Sequence, residues 1–172
     1  MAPETKKFVK SEYKRKKPIN SFNIIIKNGR YVLDTSTIIK KIISKLIYGG
    51  LRGTLIIHNA VVAELEHLAN LGVKEGFVGL EELEKLQILK KKNNIKILFI
   101  GKRPSPSQIR YAKFGEIDAL VRELAYKTKS ILITADYVQA KSALAYGIKV
   151  RFIKTKKKEI QKKKTIFRFF KK

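Results

Sequence analysis

The chain has 172 residues, 39 Lys+Arg against 14 Asp+Glu, no cysteine, and a formal net charge of +25. That length fits one domain with tails and can bury a core without disulfides or a structural metal. The missing cysteines exclude disulfide frameworks, thiolate zinc sites and thiol nucleophiles. No apolar run exceeds four residues, against the roughly 20 a membrane helix needs, and no apolar stretch follows the basic start as in a secretion signal. A soluble, cytoplasmic protein is expected, with no membrane partner.

The charge is uneven. Residues 1–20 carry net +5, residues 151–172 net +10, and the 130 residues between them another +10. Two basic tails flank a milder core, a layout that suits a polyanion such as nucleic acid or an anionic membrane surface. An A/T-rich genome also enriches Lys and Ile, but such bias favours Glu as well, and acids stay few. Nucleic acid is the favoured partner.

In chain order, residues 1–20 read as a flexible basic arm with Pro3 and Pro18. Asn28-Gly29 between Ile24–Ile26 and Tyr31–Leu33 suggests a hairpin or a simple turn into a strand. Thr35-Ser36-Thr37 can cap a helix whose apolar face is Ile38, Ile39, Ile42, Ile43, Leu46 and Ile47, stopped by Gly49-Gly50. Leu55–Ile57 is a strand. Asn59 is a candidate cap for a helix ending at Gly72, and a second helix covers about 77–92. Ile95–Ile100 is a strand, and Gly101–Pro106 a loop. A helix over about 115–128, the strand Ile131–Ile133, a helix over about 136–146 and a strand over Ile148–Ile153 complete the pattern. Short continuous apolar strands alternating with helices predict a three-layer α/β/α domain over 21–153 with a central, mainly parallel sheet. The basic 154–172 tail interleaves Phe167, Phe169 and Phe170.

Only three aspartates exist: Asp34, Asp118 and Asp136. Asp34 and Asp136 each follow an apolar strand, and Asp118 falls in the first turn of the helix before the second of those strands. Ligands of open parallel sheets bind outside the carboxyl ends of the strands, so topology delivers these acids to one edge. Glu64, one turn into the helix after Leu55–Ile57, joins them. Four bare carboxylates in one crevice repel one another and invite a hard divalent cation, Mg²⁺ or Mn²⁺. Such an ion polarises phosphodiesters and acidifies water. Each acid taken singly is better read as a helix cap or a solvated side chain; the joint pattern is what points to a site.

Four motifs now resemble one family. Val32-Leu33-Asp34-Thr35-Ser36, Val62-Ala63-Glu64-Leu65-Glu66-His67-Leu68, Glu116-Ile117-Asp118-Ala119-Leu120 and Leu132-Ile133-Thr134-Ala135-Asp136 resemble, in order, those of PIN-domain ribonucleases. Gly76–Leu83, Gly101–Pro104 and Gly115–Leu120 are most similar to the N-terminal PIN domain of archaeal PIN–ATPase–KH proteins. No Gly-x-x-x-x-Gly-Lys-[Ser/Thr] loop occurs, so ATP-dependent activity is not implied; a stand-alone protein, a split gene or a fragment all fit. The resemblance implies a PIN-like fold and a Mg²⁺- or Mn²⁺-dependent endoribonuclease with Asp34, Glu64, Asp118 and Asp136 as acidic ligands. It implies support by Ser36 and Thr134, and a homodimer as in many relatives. An RNA-binding or assembly module with weak or no cleavage is the alternative, as is the toxin of a toxin–antitoxin pair, with an antitoxin or an ATPase/KH protein as partner.

Other residues carry weaker signals. Glu116 lies about 200° from Asp118 around a helix, so it reads as an N-terminal helix charge. Glu66 reads as solvated. His58 and His67, with no further His or Cys, do not make a zinc site. A phosphate-accepting receiver domain is disfavoured because no Lys ends the last strand. Lys102, Arg103, Lys162, Lys163, Lys164 and Arg168 are candidates for RNA contact, the last four beside phenylalanines that can stack on bases. A packed element or a solvated face explains the same residues.

Overall fold

A computed structural model describes residues 28–112 and 115–155. The residues 1–20 arm, Ile24–Ile26, and the tail residues Lys162, Lys163, Lys164 and Arg168 lie outside that range.

Five parallel strands form one sheet in the order β3-β2-β1-β4-β5: β1 (Gly29–Leu33), β2 (Gly53–His58), β3 (Ile95–Ile100), β4 (Ile131–Thr134) and β5 (Val150–Phe152). Tyr31, Val32, Leu33, Leu55, Ile56, Ile57, Leu132 and Ile133 are all fully buried, as continuous apolar runs covered on both faces must be. Along Tyr31–Leu33, β1 is flanked by β2 and β4 in parallel register, so this stretch has no free edge for a hairpin partner. Gly53 begins β2 at φ +117, where a side chain would collide with the Gly29 backbone beside it.

The helices are α1 (Thr35–Ile39), α2 (Ile42–Tyr48), α3 (Asn59–Asn70), α4 (Lys74–Asn93), α5 (Pro106–Arg110), α6 (Glu116–Lys127) and α7 (Tyr137–Ala145). Crossovers from β1 to β3 run one way, and those from β3 to β5 run the other. Right-handed connections then set α1–α4 and α6–α7 on opposite faces. Accordingly, α4 packs on α1, α2 and α3, while α6 lies against β1, β2 and β4. The order reverses between β1 and β4, which is the switch point of the sheet.

Three expectations need correction. The single helix expected after Asp34 is two. Lys41 breaks it at φ 51, pairs with Glu81 of α4 at 2.9 Å, and leaves α2 to start afresh. The fully buried Glu82 of α4 then accepts the Ser44 backbone N–H in the first turn of α2, at 2.9 Å. A carboxylate at a helix N-terminus satisfies donors that have no partner within the helix. The Gly101–Pro106 loop leads into the unforeseen α5, opened by a capping box between Ser105 and Gln108 with Pro106 in its first turn. Finally, His58, not Asn59, caps α3: its Nδ1 accepts the Ala60 N–H at 3.0 Å. Gly101 (φ +93) lies against the His58 ring, where any Cβ would clash.

Candidate active site

Asp34 leaves the end of β1 still bound to the sheet, its N–H donating to the Ile133 carbonyl of β4 at 3.1 Å. The residue is 2% exposed. Oδ2 accepts the Ser36 hydroxyl, and it accepts the Thr134 hydroxyl from across the switch point at 2.7 Å. The two hydroxyls also order the opposite strand end. Ser36 Oγ accepts Ala135 N–H, and Thr134 Oγ1 accepts Asp136 N–H, both at 3.0 Å. Asp136 caps α7 by accepting Gln139 N–H at 2.9 Å. Glu64 of α3 is held by the Thr35 hydroxyl at 2.8 Å. Asp118 sits half-buried in the first turn of α6.

Electrostatics ties the four acids together. Burial raises the Asp34 carboxyl above its ordinary range, the Ser36 and Thr134 hydroxyls oppose the rise, and the Asp136 charge adds to it. Burial also raises Glu64, opposed by Thr35 and reinforced by Asp118 and Asp34. Asp118 is raised first by burial and then by the charges of Asp34 and Asp136, with Arg122 pulling it back. Burial and mutual repulsion thus disfavour the charged forms of Asp34, Glu64 and Asp118, and a bound cation would offset both.

The donor set fits a hard, water-rich cation. All four groups offer oxygen only, which is the basis of the fit; no three acidic or histidine side chains among the described residues stand close enough to form a protein cage, so one or two of these acids would hold the ion. Mg²⁺ is ordinarily bound by one or two carboxylates with its remaining sites filled by water and substrate phosphate.

A cleft of about 750 Å³ opens beside Glu64 and Asp118, walled by His67, Leu68, Ile109 and Ile117. A neighbouring hollow of about 390 Å³ shares Ile109 and Ile117 and is bordered by Lys102 and Glu116. Lys102 therefore borders the hollow next to the acid cleft, not the cleft itself. Arg103 pairs with Glu66 of α3 on the surface, both side chains remaining open to solvent as expected of solvated groups. Glu116 opens α6, as its position suggests. Sequence reasoning gave no role to Thr35 as a partner of Glu64, to His67 and Ile109 as cleft walls, or to Gln139. Spacing gave a hint only for His67, which falls one turn after Glu64.

A family model described as the PIN domain matches residues 31–144, the span from β1 to α7 that carries all four acids. This chain belongs to the PIN-domain family. The five-stranded parallel sheet agrees, and the fold is generally that of nucleases, which usually bind divalent metals. The chain is 39% identical over 157 residues to an uncharacterized KH and PIN-domain containing protein of Methanocaldococcus jannaschii. The match covers 90% of this PIN-domain chain but only 24% of that relative. A solved domain of a functionally unknown protein from the same organism superposes with a TM-score of 0.72 at 41% identity, over 77% of this chain and 96% of that one. Among the described residues, no helix is long and apolar enough to cross a membrane.

Proposed function

We propose that this PIN-domain chain is a cytoplasmic, Mg²⁺- or Mn²⁺-dependent endoribonuclease acting at the edge formed by Asp34, Glu64, Asp118 and Asp136. The observation that carries this reading is the buried Asp34 carboxylate, clamped by Ser36 and Thr134 at the switch point and surrounded by like charge. A protein keeps so unfavourable a group where a cation or a reaction uses it. A divalent ion there supplies charge compensation, an acidified water and a stabilised leaving oxygen.

The chain's own residues orient that chemistry. Ser36 and Thr134 fix Asp34 in one rotamer, and Thr35 does the same for Glu64. Asp118, with no side-chain cap to make, faces the cleft beside Glu64. Hydrolysis adds water at phosphorus and breaks one P–O bond, and the leaving oxygen takes up a proton. Lys102 in the neighbouring hollow and the basic tail residues attract the phosphate backbone. RNA as the substrate accords with the KH domain named for the relative.

The deciding experiment incubates single-stranded and structured RNA with Mg²⁺ or Mn²⁺ and either the parent or Asp118→Asn. Metal-dependent cleavage by the parent, lost in the variant, supports the proposal. Equal cleavage by both removes Asp118 from the site. A second reading, an RNA-binding or assembly module with little cleavage, draws on the absence of three carboxylates close enough to share an ion. It predicts RNA affinity that falls steeply with salt and no product under any metal.

A further inference from the structure

We propose that Gln139 is a positioning residue of this site: it ties the first turns of α6 and α7 together and keeps the Arg122 guanidinium on its own amide, off the Asp118 carboxylate. The inference rests on reading Asp118 and Asp136 as the metal-facing acids.

Gln139 has no exposed surface, so its polar atoms must find protein partners. All the partners it finds belong to this corner. Its backbone N–H donates to Asp136 Oδ1 at 2.9 Å. Its Nε2 donates to the Asp118 carbonyl at 3.0 Å. Its Oε1 accepts from Arg122 Nη1. One residue thereby links the two helices that carry these acids, 18 residues apart in sequence: its backbone reaches Asp136 and its side chain reaches the Asp118 carbonyl and Arg122.

The Arg122 bond is the informative one. Arg122 follows Asp118 by four residues on α6, a spacing at which opposite charges ordinarily pair. The ion pairs among the described residues are Lys41–Glu81, Arg103–Glu66 and Lys127–Glu123; Arg122–Asp118 is not among them. Planar guanidinium groups engage carboxylates through both oxygens, and those are the oxygens a cation needs. By offering Oε1, Gln139 leaves the Arg122 charge nearby and the Asp118 oxygens open. Partners that orient the ligands of a metal commonly change its affinity about 10–100-fold when removed.

The test measures Mn²⁺ binding to the full chain by calorimetry and electron paramagnetic resonance, alongside the Mn²⁺ concentration that gives half-maximal RNA cleavage. Gln139→Leu is expected to weaken Mn²⁺ binding about 10–100-fold and to raise the half-maximal concentration in step. Gln139→Leu combined with Arg122→Met is expected to bind Mn²⁺ at least about tenfold more tightly than Gln139→Leu alone, because the competing cation is gone. A Gln139→Leu protein that binds like the parent overturns the proposal. So does a double variant no better than the single, since Gln139 then only packs. If Gln139→Leu does not fold, Gln139→Asn, with both amide groups one methylene short, replaces it in the same comparison. A parent that neither binds Mn²⁺ nor cuts RNA overturns the nuclease reading and this inference together. A parent that does both beside unaffected variants overturns this inference alone.

Discussion

The ends of β1 and β4 carry the same residue type on either side of the switch point, both bonded to Thr134, in opposite circumstances. Asp34 is sealed from solvent, does not cap its helix, and receives two hydroxyls on one oxygen. Asp136 is exposed and caps α7. The first is a charge the fold tolerates at a cost; the second is a charge that helps the fold. Position at a strand end therefore does not decide what an acid contributes. The bonds it makes locally decide that, and the site draws on both kinds.

The sharpest way to break the comparison is through activity, where the two acids should behave alike. Asp34→Asn and Asp136→Asn are each expected to lower RNA cleavage about a thousandfold, the several kcal/mol that metal-assisted catalysis supplies at tenfold per 1.36 kcal/mol. A variant of either that keeps full single-turnover cleavage removes that acid from the chemistry. Next in size is Thr134→Val, which strips a donor from buried Asp34 and an acceptor from the Asp136 N–H. Chemical denaturation should show a loss of about 1–3 kcal/mol.

Stability should then separate the two acids. Asp136→Ala removes a helix cap and is expected to cost about 0.5–2 kcal/mol. Asp34→Asn is expected to raise the Tm of the metal-free protein at neutral pH, because it deletes a carboxyl whose folded pKa lies above its unfolded one. The sign follows from proton binding. Between those two pKa values the folded parent holds more protons than the unfolded chain, so it gains stability as pH falls. The Tm advantage of Asp34→Asn should therefore shrink as pH drops from neutral toward the ordinary carboxylate range of about 4. Calorimetry across that range checks it; an advantage that is constant with pH points to repacking instead.

The strands are legible in the sequence because a strand buried on both faces must be apolar throughout, as Leu55–Ile57 and Ile131–Ile133 are. Asp34 and Asp136 are legible because strand ends fix their place; Glu64 and Asp118 are read from helices that begin at that edge. What stays hidden depends on partners distant in sequence. The break at Lys41 needs Glu81 and Glu82, some 40 residues on, to receive Lys41 and the α2 terminus. The α5 helix is a case where the signal is present, Ser105 three residues before Gln108, but is masked by Pro104 and Pro106, which equally mark a loop. Gln139 is illegible: nothing in Tyr137-Val138-Gln139 indicates that its side chain turns inward to meet α6.

The bond between Asp34 and Thr134 spans 100 residues of chain. On the ribosome, β1, β2 and β3 emerge long before β4, and the Asp34 carboxylate has neither Thr134 nor Asp136 beside it until some 100 further residues have been made. The acid edge is complete only in a finished domain. On the nuclease reading proposed above, a cell translating this message is spared a partly assembled cutting edge beside its own template, and truncated products ending before residue 134 are expected to be inert toward RNA cleavage however basic they are.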